Sequence, residues 1–205
     1  MRLAGGAAEL DRDQVLAIER QVAAHACTAA SPERQPCDLA ILHLLTFGGL
    51  RRSEIANVDW RDFSEEGAFQ ILRLPETKSG VAQDIKLQPI VLHFLHEYRQ
   101  TLERHRYSAQ GKVFISLSRN QSHGKPITDQ SINLIVRRYA KRAGLTRNVT
   151  AHMFRHTCCT MSIEGGAKPQ QVQAHLRHKD LKTTMRYYEN RERLTDNASD
   201  YIHIR

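Results

Sequence analysis

Between Ala151 and Tyr188 the chain concentrates polar groups that a plain helical domain has no need of. His152 and Arg155 are three residues apart, a spacing that projects both from one face of a helix toward the same point. His178 follows Leu176-Arg177, and the pair Tyr187-Tyr188 ends the next helical run. Upstream, Arg51 follows the double glycine at 48–49, and Lys78 sits in a polar stretch between two short alternating runs. Two arginines, two histidines, a lysine and a tyrosine suit one task, which is to neutralise and attack a phosphodiester without a metal. Arginine forks bind non-bridging oxygens bidentately, and their charge stabilises a pentavalent transition state. A phenol that gives up its proton can form a covalent phosphoryl-enzyme intermediate, while an ammonium or imidazolium protonates the leaving oxygen.

Taken singly, each of these residues has a plainer use. A tyrosine near a helix end is most often a packing residue, and Tyr188 beside Tyr187 shows that tyrosines here need not all act. Arg51 with Glu54 nearby fits a surface ion pair of little consequence, and Lys78 in a polar turn fits a solvated charge. His152 and His156 are four apart and would suit two metal ligands, with His175 and His178 as supplements. The residues between the first pair are Met153, Phe154 and Arg155, so the glutamate of a H-E-x-x-H site is missing and a cation stands nearby.

The elements that must position these groups follow from periodicity. Asp11 and Asp13 precede Val15, Ile18 and Val22, an amphipathic helix with an acidic start. SPERQPC at 31–37 holds two prolines and reads as a loop. From Asp38 to Phe47 the run DLAILHLLTF is apolar nearly all round, which predicts a buried helix stopped by Gly48-Gly49 and places LRRSEI at its mouth. FQILRL and QDIKL around PETKSGVA predict a β-hairpin over 69–87. Helices follow at Val91–Leu102, at Ile132–Tyr139 behind the capping Thr128, at Ala151–Glu164, at Pro169–Leu176 and at Leu181–Glu189. The fold class expected is mostly α with a small antiparallel β-sheet, an α+β arrangement in a single domain over residues 1–205.

Composition sets the partner class. Thirty Lys+Arg against 22 Asp+Glu give a formal charge of +8 and a pI near 9.6, which favours a polyanion. No apolar stretch approaches the ~20 residues needed to cross a bilayer, and the first residues lack a secretory pattern, so no membrane is expected and the location is read as cytoplasmic. Cys27, Cys37, Cys158 and Cys159 form no C-x-x-C pair and suit neither a zinc site nor a disulfide framework.

GGLRRSEI at 48–55, ETKSG at 76–80, AHMFRHTCCT at 151–160, LRHKDLKTT at 176–184 and MRYYEN at 185–190 resemble, in order, the signature boxes of the tyrosine recombinases of the phage integrase type. The family pattern sets its tyrosine about nine residues beyond the second histidine, and nine residues beyond His178 is Tyr187. The resemblance implies the tyrosine recombinase catalytic-domain fold and an enzyme that cleaves and rejoins DNA at specific sites through a 3′-phosphotyrosyl link. It implies Arg51 and Arg155 as phosphate-binding groups, Lys78 as general acid for the departing 5′ oxygen, and His152 as an aid to proton transfer. His178 would hydrogen-bond the phosphate and Tyr187 would be the nucleophile. No cofactor, metal or ATP is implied. The partners implied are a double-stranded DNA recombination site at the nucleoid, a homo-oligomer of four protomers on that DNA, and an accessory protein. The polar tail at 190–205 would contact a neighbouring protomer.

Two departures from the pattern have consequences. The usual glycine of the second histidine box is Arg177, so the turn must accept a side chain, a candidate for one more phosphate contact. Only about 37 residues precede the first core helix, too few for the core-binding domain that most members carry. The chain is then either a piece of a longer recombinase or a single-domain one resembling those that invert fimbrial promoter segments. The competing functional reading is a DNA-binding accessory or regulatory protein of the same fold without catalysis.

Overall fold

The structure is a computed structural model that describes residues 9–25, 33–75, 83–108, 110–117 and 122–195. Lys78, Cys27, the residues after Thr195 and the side chains after Glu189 lie outside the described residues, and with them the expected contact of the tail.

Helix α1 (Arg12–Ala23) starts on a capping box: the Gln14 amide donates to the Asp11 carboxylate at 2.8 Å, and the Asp11 amide to the Gln14 side chain at 3.3 Å. Helix α2 (Arg34–Thr46) begins four residues before the expected Asp38, so much of the predicted loop at 31–37 is helical. Pro36 does not prevent this, because it occupies the first turn, where an N–H has no helical partner to lose. Every residue of α2 from Cys37 to Thr46 is buried, and α1, α4 and α6 pack around it as the central rod. Its polar members are each satisfied: Tyr139 donates to Asp38 at 2.6 Å, and Thr46 to the Leu42 carbonyl at 2.9 Å.

After α2 the chain turns sharply through Gly48 and Gly49 into the short helix α3 (Arg52–Asn57). A single 3₁₀ turn, Trp60–Asp62, leads to an antiparallel sheet of β1 (Phe63–Glu66), β2 (Phe69–Leu74) and β3 (Gln83–Lys86) in sequential order. The predicted hairpin is β2–β3, with Leu72 opposite Ile85. Strand β1 was not legible: FSEE carries no apolar alternation, and its pairing of Glu66 with Phe69 depends on the turn at Gly67, whose φ is +59°.

Helices α4 (Pro89–Arg104), α5 (Asp129–Arg142), α6 (Ala151–Glu164) and α7 (Pro169–Leu176) follow the predicted spans closely. Helix α8 (Leu181–Thr195) runs six residues past the expected end at Glu189. Most buried apolar side chains form one core under α1–α6 and the sheet. Cys158, Cys159, Ile163, Val172 and Leu176 form a second, smaller one between α6 and α7, with Tyr187 and Tyr188 of α8 packed on it. Among the described residues no helix is long and apolar enough to cross a membrane.

The turn at Gly49 is a tight joint. Its φ is +55°, and a Cβ there would collide with the Leu176 side chain and meet Cys158 Sγ at 3.2 Å. Gly67 has nearly the same φ but open space around it. Gly49→Ala should therefore cost the left-handed backbone term of roughly 1–2 kcal/mol plus about 1–3 kcal/mol of overpacking. Gly67→Ala should show only the first. Denaturant unfolding of both variants compares them, and equal losses would refute the joint.

Candidate active site

Arg155 lies at the centre of the site. Helix α6 delivers it from a fixed start, because the Ala151 amide donates to the Asn133 side chain of α5 at 2.9 Å. The residue is 3% exposed. Nη1 donates to the Gly49 carbonyl at 2.6 Å and Nη2 to the Leu176 carbonyl at the end of α7. Those two acceptors hold the guanidinium without neutralising it, since among the described residues no carboxylate forms an ion pair with it. Burial, then the charges of Arg51 and Arg177, push its pKa down to about 9, which leaves it cationic at neutral pH.

Arg51 caps α3. Its Nη1 meets Glu54 Oε1 at 2.6 Å, its backbone amide donates to Glu54 Oε2 at 2.7 Å, and its Nη2 reaches the Arg177 carbonyl at 3.4 Å. The Arg51 side chain is 41% exposed while Glu54 is only 6% exposed, so the pair is anchored inside and open outside. This is more than the surface pair that the spacing allowed.

Arg177 corrects the sequence reading. It adopts the left-handed conformation that the box normally assigns to glycine, with φ 54° and ψ 46°. Its side chain turns inward instead of toward a bound phosphate: it is 5% exposed, and Nη2 donates to Glu54 Oε2 at 2.7 Å while Nη1 donates to the His175 carbonyl at 2.8 Å. Burial opposes the charge on Glu54, but Arg177 and Arg51 outweigh it and hold that carboxyl below its ordinary pKa. One carboxylate thus serves two guanidiniums, and with Arg155 the cluster keeps an excess of positive charge.

The imidazoles stand around this excess. His178 pairs Nδ1 with the hydroxyl of the fully buried Thr184 at 2.9 Å. Burial, then Arg155, Arg51, His156 and Arg177, drive its pKa down to about 4. Burial followed by Arg155 and Arg51 lowers that of His152. His152 meets His156 edge to face, with ring centroids 4.4 Å apart. His175 is spent structurally, bonding the Phe47 carbonyl at 2.9 Å. The Tyr187 hydroxyl is hydrogen-bonded to His156 Nδ1, and the two ring centroids are 5.7 Å apart.

The structure therefore draws Arg51, His152, Arg155 and His178 into one neighbourhood and links Tyr187 to it through His156. Lys78 lies outside the described residues. His156 entered the sequence reading only as half of a metal pair, and Glu54 only as a surface partner. Their signals were the i, i+4 spacing from His152 and the i, i+3 spacing from Arg51. Among the described residues no three His, Cys, Asp or Glu side chains are grouped to hold a metal ion.

Residues 10–193 match the phage integrase family. The tyrosine recombinase XerA of Pyrococcus horikoshii is 31% identical over 150 residues, covering 73% of this chain and 49% of that protein. The chain spans about half the length of the curated relatives it matches. Among solved structures, the XerH site-specific recombinase bound to palindromic difH substrate, a post-cleavage complex, aligns with a TM-score of 0.74 at 21% identity, over 94% of this chain and 53% of that one. The lambda integrase catalytic core aligns with a TM-score of 0.61 at 18% identity, over 84% of this chain and 96% of that one. The fold is the one those catalytic domains share.

Two outcomes follow from the charge arrangement. Glu54→Gln should cost about 3–5 kcal/mol, because it leaves a buried guanidinium unpaired. In an Arg177→Met background the same change should cost roughly 1–3 kcal/mol less, the coupling expected of direct partners; a strictly additive cycle in denaturant unfolding would contradict the shared carboxylate. The pH dependence has a definite sign. His178 is lowered from 6.5 to about 4 on folding, so the unfolded chain binds the extra proton, and stability is lost as pH falls from 6.5 toward 4. Melting temperatures should drop over that window, and His178→Gln should flatten the drop.

Proposed function

The chain belongs to the phage integrase family, and from that premise we propose that it is a site-specific DNA recombinase acting through a 3′-phosphotyrosyl intermediate on Tyr187. Arg155, held by two carbonyls with no carboxylate of its own, and Arg51, open on its outer side, bind the non-bridging oxygens of the scissile phosphate. When the Thr184 hydroxyl donates to His178 Nδ1, the Nε2 of that ring carries a proton and donates to the phosphate. The Tyr187 oxygen bonds to phosphorus, the bond to the 5′ oxygen breaks, and Lys78 supplies the proton that leaves a 5′ hydroxyl. His152 assists proton transfer. The phosphoester energy stays in the protein link, so rejoining to a partner strand needs no ATP.

The observation that carries this reading is the surplus of fixed positive charge at Arg51 and Arg155, with a phenol one imidazole away from it. Duplex DNA is the partner this charge suits, and the XerH structure is a complex with such a substrate. Strand exchange between two duplexes calls for four protomers on the DNA, with an accessory protein as a further partner, in the cytoplasm at the nucleoid. Residues 1–205 act as the catalytic domain, and the tail at 190–205 couples protomers.

A nicked duplex built from repeats flanking the gene tests the proposal. The wild-type chain should be trapped as a covalent complex, and Tyr187→Phe should reduce it by at least a hundredfold. An undiminished complex would reject Tyr187 and make Tyr188 the next residue to replace. Tight binding without a covalent product on every site tried would favour the non-catalytic accessory reading.

A further inference from the structure

His156 has no role in the scheme above, yet it is the described residue whose side chain meets the Tyr187 hydroxyl. We propose that His156 is a catalytic residue that takes the Tyr187 proton as the phenol attacks phosphorus and returns it when the strand is rejoined. The inference deepens the proposed function and rests on its assignment of Tyr187.

A phenol with a pKa near 10 is a poor nucleophile at neutral pH until a base accepts its proton. Of the other acceptors nearby, His152 meets the His156 ring edge to face rather than the phenol, and the rest are engaged elsewhere. His178 Nδ1 is bonded to Thr184, His175 Nε2 to the Phe47 carbonyl, and both Glu54 oxygens to the Arg51 and Arg177 segments. His156 instead points Nδ1 at the phenol, with its ring tilted 37° to that of Tyr187. Its place on α6 follows from spacing, since it is one turn beyond His152 and adjacent to Arg155.

The groups that face it keep it neutral and therefore able to accept. Burial, then His152 and Arg155 on its own helix, hold its pKa below the ordinary imidazole value. His178, in the turn after α7, is electrostatically coupled to it, and Tyr187 comes from α8. In the forward step the Oη–H bond breaks, the proton passes to Nδ1, and the Oη–P bond forms as the P–O5′ bond breaks. The resulting imidazolium sits beside the negatively charged phosphorane and steadies it. In the reverse step the 5′ hydroxyl gives its proton to Lys78 as it attacks phosphorus, the P–Oη bond breaks, and His156 returns its proton to the departing phenolate.

Single-turnover cleavage and rejoining on the nicked duplex test this with full-length protein. His156→Ala and His156→Asn should both slow the two steps about 10²–10⁴-fold, with DNA affinity within about twofold of wild type. The Asn amide places a polar atom near the Nδ1 position but cannot take a proton, so a wild-type rate for His156→Asn would reduce His156 to a positioning residue and overturn the proposal. Imidazole in the buffer should restore part of the His156→Ala rate, and that rate should rise with pH as hydroxide replaces the missing base. A wild-type cleavage rate that is undiminished at a pH where NMR shows the His156 ring protonated would also overturn it, whatever the folding of the variants. If Tyr187→Phe still forms the covalent complex, the proposed function itself has failed; if it does not, and His156→Ala cleaves normally, only the present inference has.

Discussion

A guanidinium as deeply buried as that of Arg155 persists only where its N–H groups find acceptors, because an unpaired buried charge costs several kcal/mol. Here the acceptors are main-chain carbonyls from two distant turns, Gly49 after α2 and Leu176 at the end of α7. That choice ties three segments of chain into one knot and still leaves the charge uncompensated. A carboxylate would have held Arg155 as firmly and cancelled its field. The turn at Gly49 that presents one of these carbonyls is closely packed, since a Cβ there would collide with the Leu176 side chain.

Around that knot the charges are divided unequally. Glu54 is shared by Arg51 and Arg177, so its single negative charge steadies two cations, and burial, aided by the positive charge that remains, lowers the pKa of His152, His156 and His178. Arg177 shows how a fold accommodates a residue in a position shaped for glycine. The left-handed turn costs backbone energy, and the ion pair with Glu54, together with the bond to the His175 carbonyl, offsets it. Burial and the nearby cations keep His152, His156 and His178 neutral in the free protein, which leaves them able to accept or share protons once an anion enters.

The nucleophile side is held differently. Tyr187 belongs to α8, which rests on a small core of Cys158, Cys159, Ile163, Val172 and Leu176, separate from the main one. Leu176 takes part in both arrangements, through its side chain in the small core and through its carbonyl on Arg155. Packing of α7 and α8 is thereby coupled to the site that holds the guanidinium, and the phenol meets its imidazole through the contact of α6 with α8.

Spacing within a single element was legible without coordinates. Periodicity located α4 to α7 and the buried character of α2, and the three-residue step from His152 to Arg155 placed both on one face. These are local properties, decided by the 3.6-residue turn and by which positions are apolar. Strand β1 was not legible because FSEE has no face to bury, and the early start of α2 was masked by Pro36. Only the tertiary structure decided which groups become partners. Glu54 and Arg177 are 123 residues apart, and His156 and Tyr187 are 31 apart with α7 between them. Residue types announced a phosphate chemistry, but the assignment of one carboxylate to two guanidiniums, and of one imidazole to the phenol, came from how α3, α6, α7 and α8 pack, because long-range pairing depends on the whole core and leaves no periodic trace along the chain.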